Sequence, residues 1–312
     1  MNIEYKKFFT KRSFGVELEV NATITQAQIR DLICSKSSKK VVVTDHWANT
    51  ATNDYWHVKF DRTCGILGKQ HDHGWEIASY IASGQKDLLH IVRVTDALGA
   101  GGAKVNENCG LHVHADLSDF STSDAGRLLA HWLKIEDMMC HILPSHRATN
   151  KYCRLLTRIK KASYSKSITY SADALWMQLK PTDIGYHENS QKKVSLNFVN
   201  YVRCLNNYTN DGRKTVELRM PEGTLSGMDV KNWVRLFLLF VENSKTMPMP
   251  QFLTPVKSVG EFLTFFGLNG TESFFVLSRA LRETKIWVLN RLMVFGNQSY
   301  AIEARKTLKT LI

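Results

Sequence analysis

The sequence lacks the features that mark exported and membrane-spanning proteins. No apolar run in its 312 residues approaches the roughly 20 residues that a membrane helix needs. Residues 1–12 are polar and basic, and they contain no apolar stretch of the kind found in a signal peptide. These absences predict a soluble, cytoplasmic protein that has no membrane partner.

The six cysteines also lack any recognisable motif. No two of them have the two-residue separation of a zinc knuckle or a redox pair. Cysteines scattered through a long chain without an export signal are usually free thiols. The sequence therefore predicts that they are reduced and mostly buried, as small apolar side chains. They are Cys34, Cys64, Cys109, Cys140, Cys153 and Cys204.

Basic residues exceed acidic ones, and the excess is uneven. The chain has 41 Lys and Arg against 29 Asp and Glu, which gives a net charge of +12 and a pI near 9.4. Residues 147–166 hold seven basic side chains and no acid, and residues 279–309 hold seven against Glu283 and Glu303. Such a balance favours polyanionic partners: nucleotides, phosphates or nucleic acid. Neither stretch has regular base-stacking aromatics, so a solvated basic face is an equal alternative.

Hydrophobic periodicity predicts a mixture of strands and helices of unequal length. The strands are predicted at 13–20, 39–44, 56–60, 75–80, 110–117, 194–202 and 215–220. The helices are predicted at 25–34, 86–98, 121–143, 172–179, 226–243, 259–266 and 273–291. Because regular alternation of strand and helix is absent, the order favours an α+β fold with a mainly antiparallel sheet.

Three of the predicted strands carry a pair of ionisable side chains two residues apart. These pairs are Glu17 with Glu19, His112 with His114, and Glu217 with Arg219. Residues i and i+2 of a strand point to the same face, and the intervening residues here are apolar. Each strand thus has one apolar face for the core and one ionisable face. Two further acids, Asp61 and Glu76, stand at or near predicted strand ends.

If these strands share a sheet, five carboxylates, two imidazoles and an arginine gather on its polar face. Carboxylates so close together need cations, because like charges repel strongly where water is scarce. Hard oxygen ligands with one or two imidazoles suit Mg²⁺ or Mn²⁺. Taken singly, a pair of this kind is more often part of a solvated sheet face or a surface ion pair than part of a metal site.

The order of these motifs resembles that of a known family. Residues 14–19, 56–61, 74–79, 109–114 and 215–219 read FGVELE, WHVKFD, GWEIAS, CGLHVH and TVELR. Together with SLNFVN at 195–200 and PEGTL at 221–225, the series is similar to the amidoligase family of phage and bacterial proteins. That family is grouped with glutamine synthetase and glutamate–cysteine ligase as carboxylate–amine ligases.

The resemblance implies a fold and a set of roles. It implies an antiparallel sheet of the glutamine synthetase type, with helices on one face and the active site on the concave polar face. Glu17 would share a metal with His112 and Glu217, while Glu19, Asp61 and Glu76 would hold the neighbouring metal. His114 and Arg219 would contact phosphate oxygens. Residues 1–245 would form the catalytic domain, and 246–312 a C-terminal helical extension packed on it.

The implied reaction joins a carboxylate to an amine at the expense of ATP, through an acyl phosphate. The cofactors would be ATP and Mg²⁺ or Mn²⁺, and the substrates could be borne on a peptide, protein or polynucleotide. Three arginines are further candidates for holding phosphate or carboxylate: Arg154, Arg158 and Arg203. Two alternatives stay open. The basic stretches also suit a nucleic-acid-binding or nucleic-acid-modifying protein, and the carboxylates also suit a metal-dependent phosphohydrolase.

Overall fold

The computed structural model describes residues 12–44, 54–65, 73–159, 173, 192–206, 213–269 and 279–311. Eight strands lie in this part of the chain. They are β1 Ser13–Asn21, β2 Lys40–Thr44, β3 Tyr55–Asp61, β4 Gly74–Ala78, β5 Ala82–Ser83, β6 Leu111–Asp116, β7 Leu196–Asn197 and β8 Thr215–Leu218.

The strands form one sheet in the order β2-β3-β4-β1-β6-β8-β7, with β5 paired to β1 off this path. The pairs β1–β4, β1–β5, β1–β6 and β3–β4 are antiparallel, whereas β2–β3 is parallel. The predicted mainly antiparallel sheet is therefore confirmed. Its assignment to the glutamine synthetase type stays a prediction.

The helices predicted at 25–34, 86–98, 121–143, 226–243 and 259–266 are confirmed, and so is the described part of the one at 273–291, from residue 279 onward. The other four described helices were not predicted. All the described helices are α1 Gln26–Lys36, α2 Gly84–Ala100, α3 Thr122–Met139, α4 Ser145–Ala148, α5 Leu156–Ile159, α6 Val199–Leu205, α7 Gly227–Thr246, α8 Val259–Thr264, α9 Arg279–Phe295 and α10 Gln298–Lys309. Thr25 and Ser121 close capping boxes at the starts of α1 and α3. The predicted helix at 172–179 lies outside the described residues except for Asp173, which is helical.

The prediction of one strand over 194–202 is wrong. Only Leu196–Asn197 is a strand, and helix α6 begins two residues later, at Val199. The Asn197 side chain accepts a hydrogen bond from the Val199 N–H at 2.9 Å, which satisfies a backbone donor at the helix start. The buried residues Phe198, Val199 and Val202 are also spaced as on one helix face, so their pattern fits either structure.

Contacts divide the chain into two compact units. The sheet unit combines Asn2–Asp116 with Glu217–Val234, and the helical unit combines Leu117–Val216 with Arg235–Ile312. The predicted boundary after residue 245 stays a prediction. No helix in the described part of the chain has the length and apolarity needed to cross a membrane.

In the sheet unit, strand β1 supplies both core and polar face. Phe14, Val16 and Leu18 alternate along it and are at most 3% exposed. Burial of such side chains stabilises the fold by about 1.5–3 kcal/mol each. The residues between them, Glu17 among them, point to the opposite face because successive strand side chains alternate. The core thus fixes which face carries the carboxylates.

In the helical unit, a buried histidine on α3 makes the stability depend on pH. His131 is 1% exposed, its Nε2 lies 3.0 Å from the Pro248 carbonyl oxygen, and its ring packs edge-on against Phe265. Burial lowers the pKa of His131 to about 4, and the charges of Arg127 and Lys134 act in the same direction. The folded state therefore holds this imidazole neutral where an unfolded chain protonates it, near pH 6.5.

The His131 contribution to stability should be complete above pH 6.5 and lost as the pH falls towards 4. The shift from 6.5 to about 4 corresponds to about 3 kcal/mol. Urea unfolding of the wild type and of His131→Gln between pH 6.5 and 4 measures this contribution. Glutamine is the suitable replacement because it keeps a donor for the Pro248 carbonyl but does not titrate. We expect the stability difference between the two proteins to change by about 3 kcal/mol. A constant difference would contradict the prediction.

Candidate functional site

The three strands that carry the ionisable pairs are neighbours in the sheet. Strand β1 lies beside β6, and β6 lies beside β8. In the β1–β6 register Glu17 stands directly opposite His112, and Gly15 opposite His114. Opposite residues of an antiparallel pair share a face, so these side chains converge on one surface of the sheet unit.

Glu17 is the centre of this convergence. Its Oε2 accepts a hydrogen bond from His112 Nδ1 at 3.1 Å, and its Oε1 lies 3.1 Å from His114 Nε2. One carboxylate of β1 thus contacts both imidazoles of β6.

Glu217 brings the third strand into the same cluster. Its Oε1 lies 3.5 Å from His112 Nδ1 and 4.0 Å from His114 Nε2. The guanidinium of Arg219 donates a hydrogen bond to the same Oε1. Since Glu217 is 5% exposed, this ion pair is screened by little water.

The cluster holds its two central carboxylates ionised. Burial alone would raise the pKa of Glu17, but the charge of His114 and hydrogen bonds from both imidazoles hold it well below its usual value. Burial likewise opposes ionisation of Glu217, and Arg219, followed by His114, lowers its pKa. The same carboxylates overcome the burial of His114 and raise its pKa to about 9. A protonated imidazole thus supplies positive charge between two carboxylates at neutral pH.

His112 behaves differently from His114. Burial and then the charge of Arg219 lower the pKa of His112, despite its contacts with Glu17 and Glu217. His112 is 3% exposed and is more buried than His114, whose side chain is 18% exposed. His112 therefore tends to stay neutral, which is the form in which an imidazole binds a metal ion.

A second group of acids lies along the same face of β1, β4 and β3. Glu19 stands opposite Glu76, and Glu76 stands opposite Lys59. The Glu19 carboxylate accepts a hydrogen bond from the Gly110 N–H at 2.6 Å, and its other oxygen lies 3.6 Å from His112 Nε2. Burial and then the charge of Asp61 raise the pKa of Glu19 well above its usual value. The surroundings therefore disfavour the ionised form of Glu19, and a bound cation would favour it.

The structure brings the six predicted metal ligands to one face, but groups them differently from the resemblance. Donor atoms of Glu17, His114 and Glu217 lie within 4.8 Å of one another, and those of Glu19, Asp61 and Cys64 do so as well. Glu76 is instead paired with Lys59, whose Nζ lies 3.0 Å from its Oε1. Burial and then the charge of Glu17 raise the pKa of Glu76 to about 7. The assigned roles of all six stay predictions.

The three predicted arginines lie outside this unit. Arg154 and Arg203 belong to the helical unit, where Arg154 is exposed and its Nε donates to the Lys193 carbonyl at 3.4 Å. Arg203 lies on α6 and is half-buried. The side chain of Arg158 is outside the described part of the chain. Their predicted contacts with phosphate stay predictions.

The basic stretch at 279–309 is less open than its charge suggests. Lys285 is 3% exposed and Arg291 is 8% exposed. Arg291 donates to the Ile142 carbonyl at 2.6 Å, and Arg282 donates to that of Leu311 at 2.7 Å. Two of these cations bind backbone carbonyls and Lys285 is buried, so fewer of them are available to a polyanion. Binding of nucleic acid stays a prediction.

Two residues of the site escape reasoning from sequence. Cys64 ends the 3-10 turn Arg62–Cys64 directly after β3, and Lys59 lies one strand away from the carboxylate it contacts. For Cys64 the sequence gives one signal: Asp61, just before the turn, is a residue type that commonly caps the start of a helix. The pairing of Lys59 with Glu76 depends on the β3–β4 register, which the sequence pattern leaves open.

Comparison with known proteins places most of the chain in one family. Residues 10–241 match the model of the family described as "Putative amidoligase enzyme". The match begins before β1 and ends within α7, so it spans the strands that carry the cluster. Among curated proteins, no match was found.

Proposed function

The chain belongs to the amidoligase family, and from that premise we propose that it is an ATP- and Mg²⁺-dependent ligase that joins a carboxylate to an amine. One observation supports the proposal above all. Glu17, His114 and Glu217, from three adjacent strands, offer donor atoms within 4.8 Å of one another, with Arg219 bound to the last of them. Carboxylates beside an arginine form the kind of site that holds a phosphate through a divalent ion.

The donor atoms fit a hard divalent ion. Two carboxylates and one imidazole match Mg²⁺ or Mn²⁺, which prefer oxygen ligands. His112 contacts the same two carboxylates and could replace His114 as the nitrogen ligand. When bound, such an ion would neutralise charge on the β- and γ-phosphates of ATP. It would also take the place of the proton that His114 holds between Glu17 and Glu217.

The chain's own residues would position the triphosphate. The side chain of Arg219 is only 17% exposed and is paired with Glu217, so its position is fixed before a ligand arrives. Burial opposes its charge, but the carboxylates of Glu217, Glu17 and Glu19 raise the pKa of Arg219. It therefore remains a cation that can donate two hydrogen bonds to phosphate oxygens. This preorganisation would orient the γ-phosphate for in-line attack.

The proposed reaction has two steps. A substrate carboxylate oxygen attacks the γ-phosphorus, the bond to the β-phosphate oxygen breaks, and ADP leaves with an acyl phosphate formed. A neutral amine then attacks the acyl carbon, phosphate leaves, and the amine proton passes to a base. The acyl phosphate must be shielded from water until the amine arrives. The net products are an amide, ADP and phosphate.

The proposal can be tested by following a carboxylate oxygen. The protein is incubated with ATP, Mg²⁺ and a panel of ¹⁸O-carboxylate amino acids and short peptides, with ammonium and amino acids as amines. We expect ADP to appear in step with a new amide, and the released phosphate to carry one ¹⁸O. Chelation of Mg²⁺ should stop both.

Two outcomes would reject the ligase. Phosphate release without ¹⁸O and without an amide, whichever amine is offered, would favour the phosphohydrolase. No turnover with any pair, together with a DNA or RNA mobility shift that weakens with salt, would favour the nucleic-acid-binding protein.

A further inference from the structure

Beside the cluster of Glu17 lies a second group of metal-binding side chains that includes a thiol. Glu19 comes from β1, Asp61 from the end of β3, and Cys64 from the 3-10 turn that follows. One donor atom of each lies within 4.8 Å of the donor atoms of the other two. Glu19 is 7% exposed and Cys64 is fully buried, so these groups do not form an ordinary solvated acidic surface.

Local structure holds the thiol in this place. Asp61 caps the turn, because its Oδ1 accepts hydrogen bonds from the N–H and the hydroxyl of Thr63, both at 2.7 Å. Gly74 on β4 leaves the space that Cys64 fills, since a β-carbon there would lie 2.4 Å from the Cys64 β-carbon. The turn and the strand beside it thus fix Cys64 against the acids.

The third carboxylate predicted for this group already has a cation. Lys59 Nζ lies 3.0 Å from Glu76 Oε1, and both side chains are at most 20% exposed. Glu19 has no lysine at this distance in the described part of the chain, and the charge of the nearby Asp61 opposes its ionisation. The position next to them is taken by Cys64 and not by a further oxygen ligand. The donor set is therefore mixed, with two hard oxygens and one soft sulfur.

We propose that Glu19, Asp61 and Cys64 form a second cation site that binds Zn²⁺ or a similar borderline ion through a thiolate, in preference to Mg²⁺. The proposal rests on the proposed function, in which this ion would neighbour the one at Glu17. Zinc commonly takes cysteine sulfur and carboxylate oxygen, whereas Mg²⁺ avoids sulfur. Three protein ligands also leave a coordination position for water or a phosphate oxygen.

Binding of the ion requires loss of the thiol proton, which the metal-free protein retains because interaction with Cys109 and then burial raise the pKa of the Cys64 thiol. The S–H bond of Cys64 breaks, the sulfur keeps the electron pair and donates it to the metal, and the proton leaves to solvent. No oxidant or reductant takes part. Binding should therefore release a proton into the buffer, which calorimetry in buffers of different ionisation enthalpy can count.

Titration of the metal-free protein with Co²⁺, a spectroscopic stand-in for Zn²⁺, tests the site. We expect a sulfur-to-cobalt charge-transfer absorption, which Zn²⁺ removes and excess Mg²⁺ does not. The absorption should be absent in Cys64→Ser, with at least tenfold weaker binding, and unchanged in Cys34→Ser, whose cysteine is exposed on α1. A wild-type protein that binds Co²⁺ without this absorption overturns the proposal, and so does an absorption that Cys109→Ser removes and Cys64→Ser retains.

A second variant guards against misfolding of Cys64→Ser, which circular dichroism would reveal. Asp61→Asn keeps an oxygen to cap the turn, and it should weaken Co²⁺ binding at least tenfold while the absorption persists at saturation. Unchanged Co²⁺ affinity in Asp61→Asn overturns the three-residue site. The two proposals fail separately: amide formation with Mg²⁺ but no sulfur absorption overturns only this one, and sulfur absorption without amide formation overturns only the ligase.

Discussion

Replacing Glu217 with glutamine is expected to lower Mg²⁺-dependent ATP turnover by roughly 100-fold or more. Glutamine has nearly the same shape but no charge, so the group of Glu17, His114 and Glu217 loses one anionic ligand. Arg219 also loses the carboxylate that holds it. Steady-state release of ADP at saturating ATP, measured against Mg²⁺ concentration, gives both the maximal rate and the Mg²⁺ requirement.

The matched control for this prediction is Glu107→Gln. Glu107 belongs to the same unit and is exposed, and its replacement is the same change from glutamate to glutamine. It should leave the rate and the Mg²⁺ dependence unchanged. Metal-dependent ATP turnover that survives in Glu217→Gln at the wild-type rate would show that the cluster is not the site of the reaction.

Replacing Glu136 with alanine should produce the largest loss of stability. This carboxylate lies in α3 of the helical unit, has no exposed surface, and accepts hydrogen bonds from four donors. Two are side chains, Trp132 Nε1 at 3.1 Å and the Ser195 hydroxyl. Two are backbone N–H groups at the start of α5, Leu156 at 2.8 Å and Thr157 at 2.7 Å. Alanine would leave these donors buried without their acceptor.

An unsatisfied buried donor costs about 1–3 kcal/mol, and breaking a buried charged network costs about 3–5 kcal/mol in total. We therefore expect Glu136→Ala to lower the free energy of unfolding by about 4 kcal/mol, measured by urea titration with circular dichroism. Glu136→Gln should lose less stability than Glu136→Ala, because the glutamine oxygen still accepts hydrogen bonds. Its loss should still exceed zero, because the glutamine NH₂ group faces a donor that it cannot accept from. The control is Asp137→Ala, an exposed neighbour on the same helix, with a change within about 0.5 kcal/mol. Equal losses in Glu136→Ala and Asp137→Ala would contradict the prediction.

Most of the site could be predicted because strand alternation is a local property. Glu17, His112 and Glu217 each lie in a short strand whose other face is apolar, and burial of that face forces the ionisable side chains to the opposite one. The prediction failed where two periods overlapped. At 194–202 the apolar residues fit both a strand and a helix, and the side chain of Asn197 decided in favour of α6 by bonding the Val199 N–H.

Glu136 illustrates a different limit. A glutamate within an amphipathic helix is ordinarily solvated, and nothing in its local sequence marks it as buried. Its partners Ser195 and Leu156 are 59 and 20 residues away along the chain. Such a residue is identified only when the fold brings those donors to it.

The sequence by itself determined the faces of the strands, since alternation with a period of two depends only on neighbouring residues and on which of them are driven out of water. Only the tertiary structure decided which of these side chains lie next to one another. Strand order set His112 between Glu17 and Glu217, register paired Lys59 with Glu76, and the turn after β3 placed Cys64 beside Glu19. These choices arise from contacts between segments far apart in the chain, and local periodicity carries no information about which segments meet.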